Sequence, residues 1–519
     1  MDFFHSSQFT DHVEALMAEH HVPGLSVGIA LGKSETATRG FGFASVEKNE
    51  SCTADTLFDI ASSAKSLTAA AVALLVDDKT NHPNVQYEAT MSSLLPEDFV
   101  MPDAHYTDGV TVEDVLSHRT GMASHDNSYM GIHAAQPDNA RSITRNLRNL
   151  KVAAPLRSRY LYCNMMYTAA THLVEVETGT SFAEFLEHRF FNPLGMQSTS
   201  LQPARAREKG HGDRIAKGHL WNKGSYHEFD TPDCPEGQGA GSVISSANDF
   251  IKWVKALMNQ ESPINEQIYQ GLTKMRSIVN PNARRLKPHT TPAVYAAGME
   301  VYYYRGEMVV AHDGNIPGFG SRFVFLPNKK LGVVVLGNSS GAGAVSNLTI
   351  RALIDEILNV PSSDRQLRAK PQPKKISIRS APAIENEATA GTDGGASLPT
   401  APTGKKAKKG NKPEKSPETP LEAYLGTFTN TGYRSIVVQI KEGKLFVDAS
   451  DRAFGFTLTF EHKRQQREYV AHLCDTLEGG DDPMDAEFVF ENNRAVRLGL
   501  DLEPAIRDLV WFDLVTPPA

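Results

Sequence analysis

The chain's 519 residues exceed what one ordinary core accommodates, and two domains of unequal size fit that length. A hydrophobic content of 40% with 22% charged residues is the balance of a soluble globular protein, and no apolar run reaches the roughly 18 residues that span a bilayer, which excludes a transmembrane anchor. A net charge of −8 excludes general nucleic-acid binding, because neutralising phosphates needs a basic surface, and leaves small neutral or weakly polar partners.

Residues 1–21 read as one amphipathic helix: Asp2, Asp11, Glu14 and Glu19 stand where a secretion signal needs a basic start and an unbroken apolar run. Cys52, Cys163, Cys234 and Cys474 are scattered and form no C-x-x-C pair, so neither a disulfide framework nor a zinc ribbon is expected. Both readings favour a reducing, cytoplasmic location, in which the sequons at Asn49, Asn338 and Asn347 carry little weight.

Residues 25–31 and 36–43 have strand length and are joined by Gly32-Lys33-Ser34, which predicts a hairpin. From 62 to 76, small and aliphatic residues including Ala69, Ala70, Ala71 and Ala73 predict a buried helix. Further helices are expected at 112–118, 167–178 and 181–189, the last stopped by Asn192-Pro193-Leu194-Gly195. The character then changes: strand-like runs at 298–304, 308–312, 320–326 and 331–336, divided by Gly, Pro and Asn, predict consecutive antiparallel strands. A helix at 344–358 closes an α+β domain spanning residues 1–361. Residues 362–419 are dense in Pro, Lys and Ala and bury too little apolar area to offset their ordering entropy, so they read as a disordered linker. Its run Lys405-Lys406-Ala407-Lys408-Lys409 reads as solvated linker charge, with a localisation signal or acid-binding patch as the alternative. In residues 420–519, short runs at 435–440, 444–447, 456–460 and 486–490 predict a small β-barrel or meander.

Three short patterns carry chemistry. In Ile60-Ala61-Ser62-Ser63-Ala64-Lys65, a serine opens the predicted helix and a lysine follows three residues later on the same face. A serine hydroxyl is a poor nucleophile until a base takes its proton, and a neutral Lys65 amine can be that base. In Tyr160-Leu161-Tyr162-Cys163-Asn164, the Tyr162 phenol can share a proton with the serine and hand it to a leaving group, while Asn164 is suited to hold the substrate's amide or the lysine. In Ala311-His312-Asp313-Gly314-Asn315, Gly314 lets another chain approach its backbone, which leaves the Asn315 amide free as an oxyanion donor with His312 beside the reacting centre. Each pattern alone also fits a helix cap, a packed tyrosine or a turn histidine.

In this order and on these elements, the three patterns resemble the serine β-lactamase, D,D-peptidase and esterase superfamily, the penicillin-recognising type, particularly its class C β-lactamase-like branch. The resemblance covers residues 8–358 and includes Val22-Pro23-Gly24, Leu116-Ser117-His118-Arg119-Thr120-Gly121-Met122, Asn192-Pro193-Leu194-Gly195-Met196 and Ala240-Gly241-Ser242. It implies an antiparallel sheet flanked by helices, with a helical subdomain. It also implies that Ser62 is acylated, that Lys65 and Tyr162 activate it, that Asn164 contacts substrate, and that the amides of Ser62 and Asn315 form the oxyanion hole. No cofactor enters such a reaction. Where β-lactamases and D,D-peptidases usually carry Lys-Thr-Gly, this chain has His312-Asp313-Gly314, which exchanges a permanent ammonium for a group that ordinarily titrates near neutrality. The same loss of lysine occurs in the family VIII esterase and D-aminopeptidase-like branches, which favours acyl transfer from a small ester, amide or peptide over antibiotic destruction. The segment after the linker, with Tyr424-Leu425-Gly426-Thr427-Phe428 near its start, looks like the lipocalin-like domain of D-amino-acid peptidase relatives, where such a domain caps the active site or mediates assembly into a homo-oligomer.

A metal-dependent hydrolase is disfavoured, since the 18 histidines include no H-E-x-x-H. His125-Asp126 reads as a loop pair, with the entrance of the site as its alternative place. G-x-S-x-G occurs around Ser26 and Ser339, but Ser26 falls in a predicted strand, and after Ser339 only His462 and His472 follow, beyond the linker, so an α/β-hydrolase is disfavoured. The remaining rivals are a biosynthetic acyltransferase or transesterase using the same acyl-enzyme, and a non-catalytic scaffold that keeps the fold. Activity is expected to fall below about pH 6, because His312 must be neutral or because Lys65 and Tyr162 must lose a proton.

Overall fold

The strands Phe319–Leu326 and Leu331–Gly337 are buried along their whole length, and their Val- and Phe-rich sequences therefore run apolar without the alternation of a half-exposed strand. In the computed structural model, which describes residues 1–365 and 419–515, they sit near the middle of a nine-stranded sheet. Its order is Glu50–Ser51, Glu35–Ser45, Gly24–Leu31, Leu331–Gly337, Phe319–Leu326, Glu307–Ile316, Glu300–Tyr304, Val294–Tyr295 and Ser277–Ile278. The N-terminal hairpin thus joins the C-terminal strands antiparallel, with Leu25 opposite Gly337 and Leu31 opposite Leu331.

Alternate side chains of these strands feed two cores. Val333 and Val335 pack with Phe9, Val13, Val345 and Ile350 from the helices Ser7–Glu19 and Ala342–Ile357. Val334 and Leu336 pack with Phe250, Trp253 and Val254 of the helix Ala247–Asn259. That second core also holds the helix Lys65–Asp77, whose residues 65–75 are all buried, as its alanines and aliphatic residues require. The helical part contributes Val112–Leu116, Asn164–Thr178 and Phe182–Leu186.

Eight strands from Gly426–Asn430 to Val510–Leu514 close into an antiparallel barrel, shut by pairing of Phe428 with Leu514 and Thr429 with Asp513. Alternation points Phe456, Leu458 and Phe460 inward, where Tyr424, Tyr469 and Phe488 pack edge to face. Closure removes the exposed sheet edges that a meander would leave.

The expected α+β unit and β-barrel are present, with local differences. The first helix is two, Asp2–His5 and Ser7–Glu19, because Ser6 is extended and its hydroxyl accepts the Phe9 N–H as an N-cap. The helix expected at 62–76 begins as a 3₁₀ turn, Ala61–Ala64, before the α-helix Lys65–Asp77. The helix expected at 167–178 starts earlier, at Asn164. The hairpin Gly218–Asn222 with Ser225–Phe229 and the small sheet of Phe58–Asp59, Val243–Ser245 and Ser200–Leu201 had no sequence signal, nor did four of the barrel strands. The expected linker, 362–419, lies almost entirely outside the described residues. Among the described residues, no helix is long and apolar enough to cross a membrane.

Candidate active site

Ser62 sits in the 3₁₀ turn that leads into the buried helix, and the turn is held from both sides. The Asp59 carboxylate accepts the Ala61 N–H at 2.7 Å, stabilising Ala61 in left-handed backbone at φ 45°. Behind it, Ser63 and Ser321 share a 2.8 Å hydrogen bond, and Ser321 donates to the Ile60 carbonyl at 2.6 Å. Strand Glu307–Ile316 passes so close that a Cβ on Gly314 would lie 2.2 Å from the Ile60 carbonyl oxygen, so only glycine fits there.

Lys65 and Tyr162 both converge on Ser62. Lys65 Nζ lies 2.9 Å from Ser62 Oγ and donates to the Ala240 carbonyl at 2.7 Å; the Tyr162 hydroxyl donates to Ser62 Oγ at 2.8 Å. Burial pushes the Lys65 ammonium down to about 7, although Asp126 and Cys163 act to raise it. Burial holds the Tyr162 phenol well above its ordinary value, so it stays protonated, while Ser62 acts in the opposite sense. The lysine amine also lies 4.7 Å from the Tyr162 ring centre.

Neutral rings surround this pair. His118 is fully buried and accepts the Cys163 N–H at Nδ1, 3.1 Å away, and its ring centre lies 4.2 Å from that of Tyr162. Burial, then Lys65 and His312, hold His118 well below the ordinary histidine value. His312 Nδ1 faces the Asp313 carbonyl at 2.6 Å, an acceptor only, so Nδ1 carries the proton and Nε2 accepts from the Tyr295 hydroxyl at 2.8 Å. Burial, aided by Lys65, pushes His312 down to about 3. The expectation that His312 titrates near neutrality is therefore corrected: its low-dielectric site keeps it uncharged.

Asn164, at the start of its helix, donates from Nδ2 to both oxygens of Asp126 at 3.2 and 3.3 Å, and not to the lysine. Burial raises the Asp126 carboxyl to about 6, against the hydrogen bond from Asn164. Asn315 is exposed near the end of its strand, opposite Gly320. Lys65 and Tyr162 are thus each in hydrogen-bond reach of Ser62, with Gly314 against the turn at Ile60 and Ala61 and His312 on the same strand. The sequence reads Asp126 as part of a loop pair, with the entrance of the site as its alternative place, and assigns no role to His118 or the Ala240 carbonyl, although both lie inside quoted motifs. Ser26 and Ser339 donate to the main-chain carbonyls of Thr53 and His21. A separate cavity of about 310 Å³, lined by Arg141, His172, Glu175 and Gln238 among others, shares no residue with this centre.

A serine, a buried amine and a phenol converge beside an antiparallel sheet with a helical subdomain. The family model described as Beta-lactamase matches residues 9–356, and the chain belongs to that family. Residues 411–513 match a domain of unknown function, DUF3471. The chain is 30% identical over 511 residues to the unguisins hydrolase ungD' of Aspergillus campestris (strain IBT 28561), covering 97% of this chain and 89% of that one. It is 32% identical to the unguisins hydrolase ungD of Aspergillus violaceofuscus (strain CBS 115571), covering 85% and 78%. In fold it is similar to the octameric penicillin-binding protein homologue from Pyrococcus abyssi, with a TM-score of 0.57 at 19% identity over 98% of this chain and 99% of that one. It is also similar to the D-amino acid amidase from Ochrobactrum anthropi SV3, with a TM-score of 0.53 at 21% identity over 67% and 99%.

Proposed function

We propose that the protein is a serine hydrolase that cleaves an ester or amide bond of a small molecule or short peptide through an acyl-enzyme on Ser62. The observation that carries this reading is the pair of contacts on one oxygen: Lys65 Nζ at 2.9 Å and the Tyr162 hydroxyl at 2.8 Å from Ser62 Oγ. A neutral Lys65 donates one N–H to the Ala240 carbonyl and accepts the serine proton through its lone pair. Ser62 Oγ then attacks the carbonyl carbon, and the amides of Ser62 and Asn315 receive the oxyanion. Tyr162 gives its phenolic proton to the leaving alcohol or amine and is reprotonated at the expense of the proton held on Lys65, and water repeats the sequence to release the acid. Asn164 binds the substrate with its remaining carbonyl oxygen. His312 lines the site as a neutral group, which disfavours dependence on a substrate carboxylate.

Hydrolysis is favoured by the names of two relatives, the unguisins hydrolases, and an amide substrate by the name of the D-amino acid amidase of similar fold. In this reading residues 1–361 are catalytic, 362–419 link, and 420–519 form the lipocalin-like domain. A cytoplasmic location is supported by four unpaired thiols, and assembly into a homo-oligomer by the octamer of the Pyrococcus protein. The test is turnover of a panel of p-nitrophenyl esters, D-amino acid amides and short peptides, with and without hydroxylamine. Hydrolysis lost in Ser62→Ala supports the reading. A hydroxamate yield far above that set by nucleophile concentration makes the protein an acyltransferase, and a folded protein inert to the whole panel makes it a scaffold.

A further inference from the structure

The loop at 124–131 borders the active site, and the barrel holds it in place. Glu503, only 3% exposed, accepts the Ser124 hydroxyl at 2.9 Å and the His125 N–H at 2.8 Å through one oxygen, and the Ala505 N–H at 2.9 Å through the other. Tyr433 of the barrel meets His125 Nδ1 at 2.7 Å, and the other ring nitrogen meets the Lys151 carbonyl at 2.8 Å. Asn127 donates to the Leu502 carbonyl, Gly131 N–H to Asp451, and Ala453 N–H to Tyr129. These contacts hold His125 in left-handed backbone at φ 50°, a conformation that a free loop would leave. The next residue is Asp126, whose carboxylate binds Asn164.

We propose that Glu503 is a positioning residue of the active site: from the barrel it fixes the backbone at Ser124 and His125, and so places the Asp126 carboxylate against Asn164 and towards Lys65. Glu503 touches neither Ser62 nor Lys65, so it acts through Asp126. The inference rests on Ser62 as nucleophile and Lys65 as its base. The ionisable groups facing Lys65 are Asp126, Cys163, Tyr162, Tyr167, His118 and His312. Those facing Asp126 are Glu503, Tyr129, Lys65, Cys163, Tyr162 and Tyr433. Asp126 is thus the one carboxylate among the groups around the lysine, and its withdrawal makes the amine easier to deprotonate.

The test is the rate of Ser62 phosphonylation by a fluorophosphonate, followed by intact mass from about pH 5 to 9. Asp126→Asn moves the acid limb of the profile down by roughly 1 pH unit. Glu503→Ala, which frees the loop, moves it in the same direction, and the double variant moves no further than Asp126→Asn alone. Glu503→Gln keeps an oxygen for Ser124 and His125 while removing the charge that raises the Asp126 carboxyl, and so does not move the limb down. A folded Glu503→Ala protein with the wild-type limb, or a double variant whose shift is the sum of the single shifts, overturns the proposal. So does an unmoved limb in Asp126→Asn, a variant that leaves the barrel contacts intact and decides the matter even where Glu503→Ala does not fold. An unlabelled wild-type Ser62 refutes the nucleophile itself and is distinct from labelling with unmoved profiles.

Discussion

The floor and the rim of this active site are built in different ways. In the floor, Ser62 and Lys65 hang on a buried helix and on a turn bonded to the neighbouring strand, and Tyr162 sits just ahead of the helix Asn164–Thr178 on a segment bonded to His118, so the geometry comes from core packing. The rim, Asp126 with Asn164, depends on a loop gripped by a residue 378 positions away in another unit. Chemistry carried by the floor should therefore respond to single side chains of the larger unit, whereas the rim should respond to changes in the barrel.

The sharpest way to break the floor is Lys65→Met, which keeps volume and removes the proposed base; it is expected to lower kcat/KM roughly 10³-fold, measured on any substrate that the wild type turns over. Next in size is the support behind the floor. The fully buried Asp114 carboxylate accepts from Arg119 at 2.6 Å and from Arg157 at 2.6 Å, and it fixes the segment that leads to His118. Burial acts to raise Asp114, but these arginines and Thr111 outweigh it and hold the carboxyl below its ordinary value. Asp114→Asn is expected to cost roughly 3 kcal/mol in denaturant unfolding at neutral pH. Because the folded carboxyl lies below its unfolded value, this contribution is complete above about pH 4 and is lost as pH falls further, so the difference from wild type should shrink in acid. Tyr162→Phe removes the proton relay and keeps the ring against Lys65, with an expected loss of about 10²-fold in kcat. The mildest effect needs no mutation: activity should fall about tenfold per pH unit below about 7, where Lys65 becomes charged, and His312, held near 3, should add no second step before that range is left.

The same contrast explains what the sequence reveals. Ser62 and Lys65 are legible because a three-residue spacing on a helix is local, and Gly314 because a close strand approach admits only glycine. The central strands are legible from strand-length apolar runs, as is half of the barrel from short runs at regular spacing. Asp126 and Glu503 carry no local pattern, since their meeting depends on how the barrel docks on the loop. Nor does spacing report dielectric: His312 reads as a neutral-pH titrator until Tyr295, Asp313 and Lys65 are seen around it. The break at Ser6 and the 3₁₀ start at Ala61 are boundary details set by capping and by the Asp59 contact, which periodicity does not register.

Acylation of Ser62 is tested most directly by intact-mass spectrometry after incubation with a fluorophosphonate. One adduct per chain on the wild type, absent from an equally folded Ser62→Ala protein, is the predicted result. No adduct on folded wild type, or one that persists in Ser62→Ala, would contradict it.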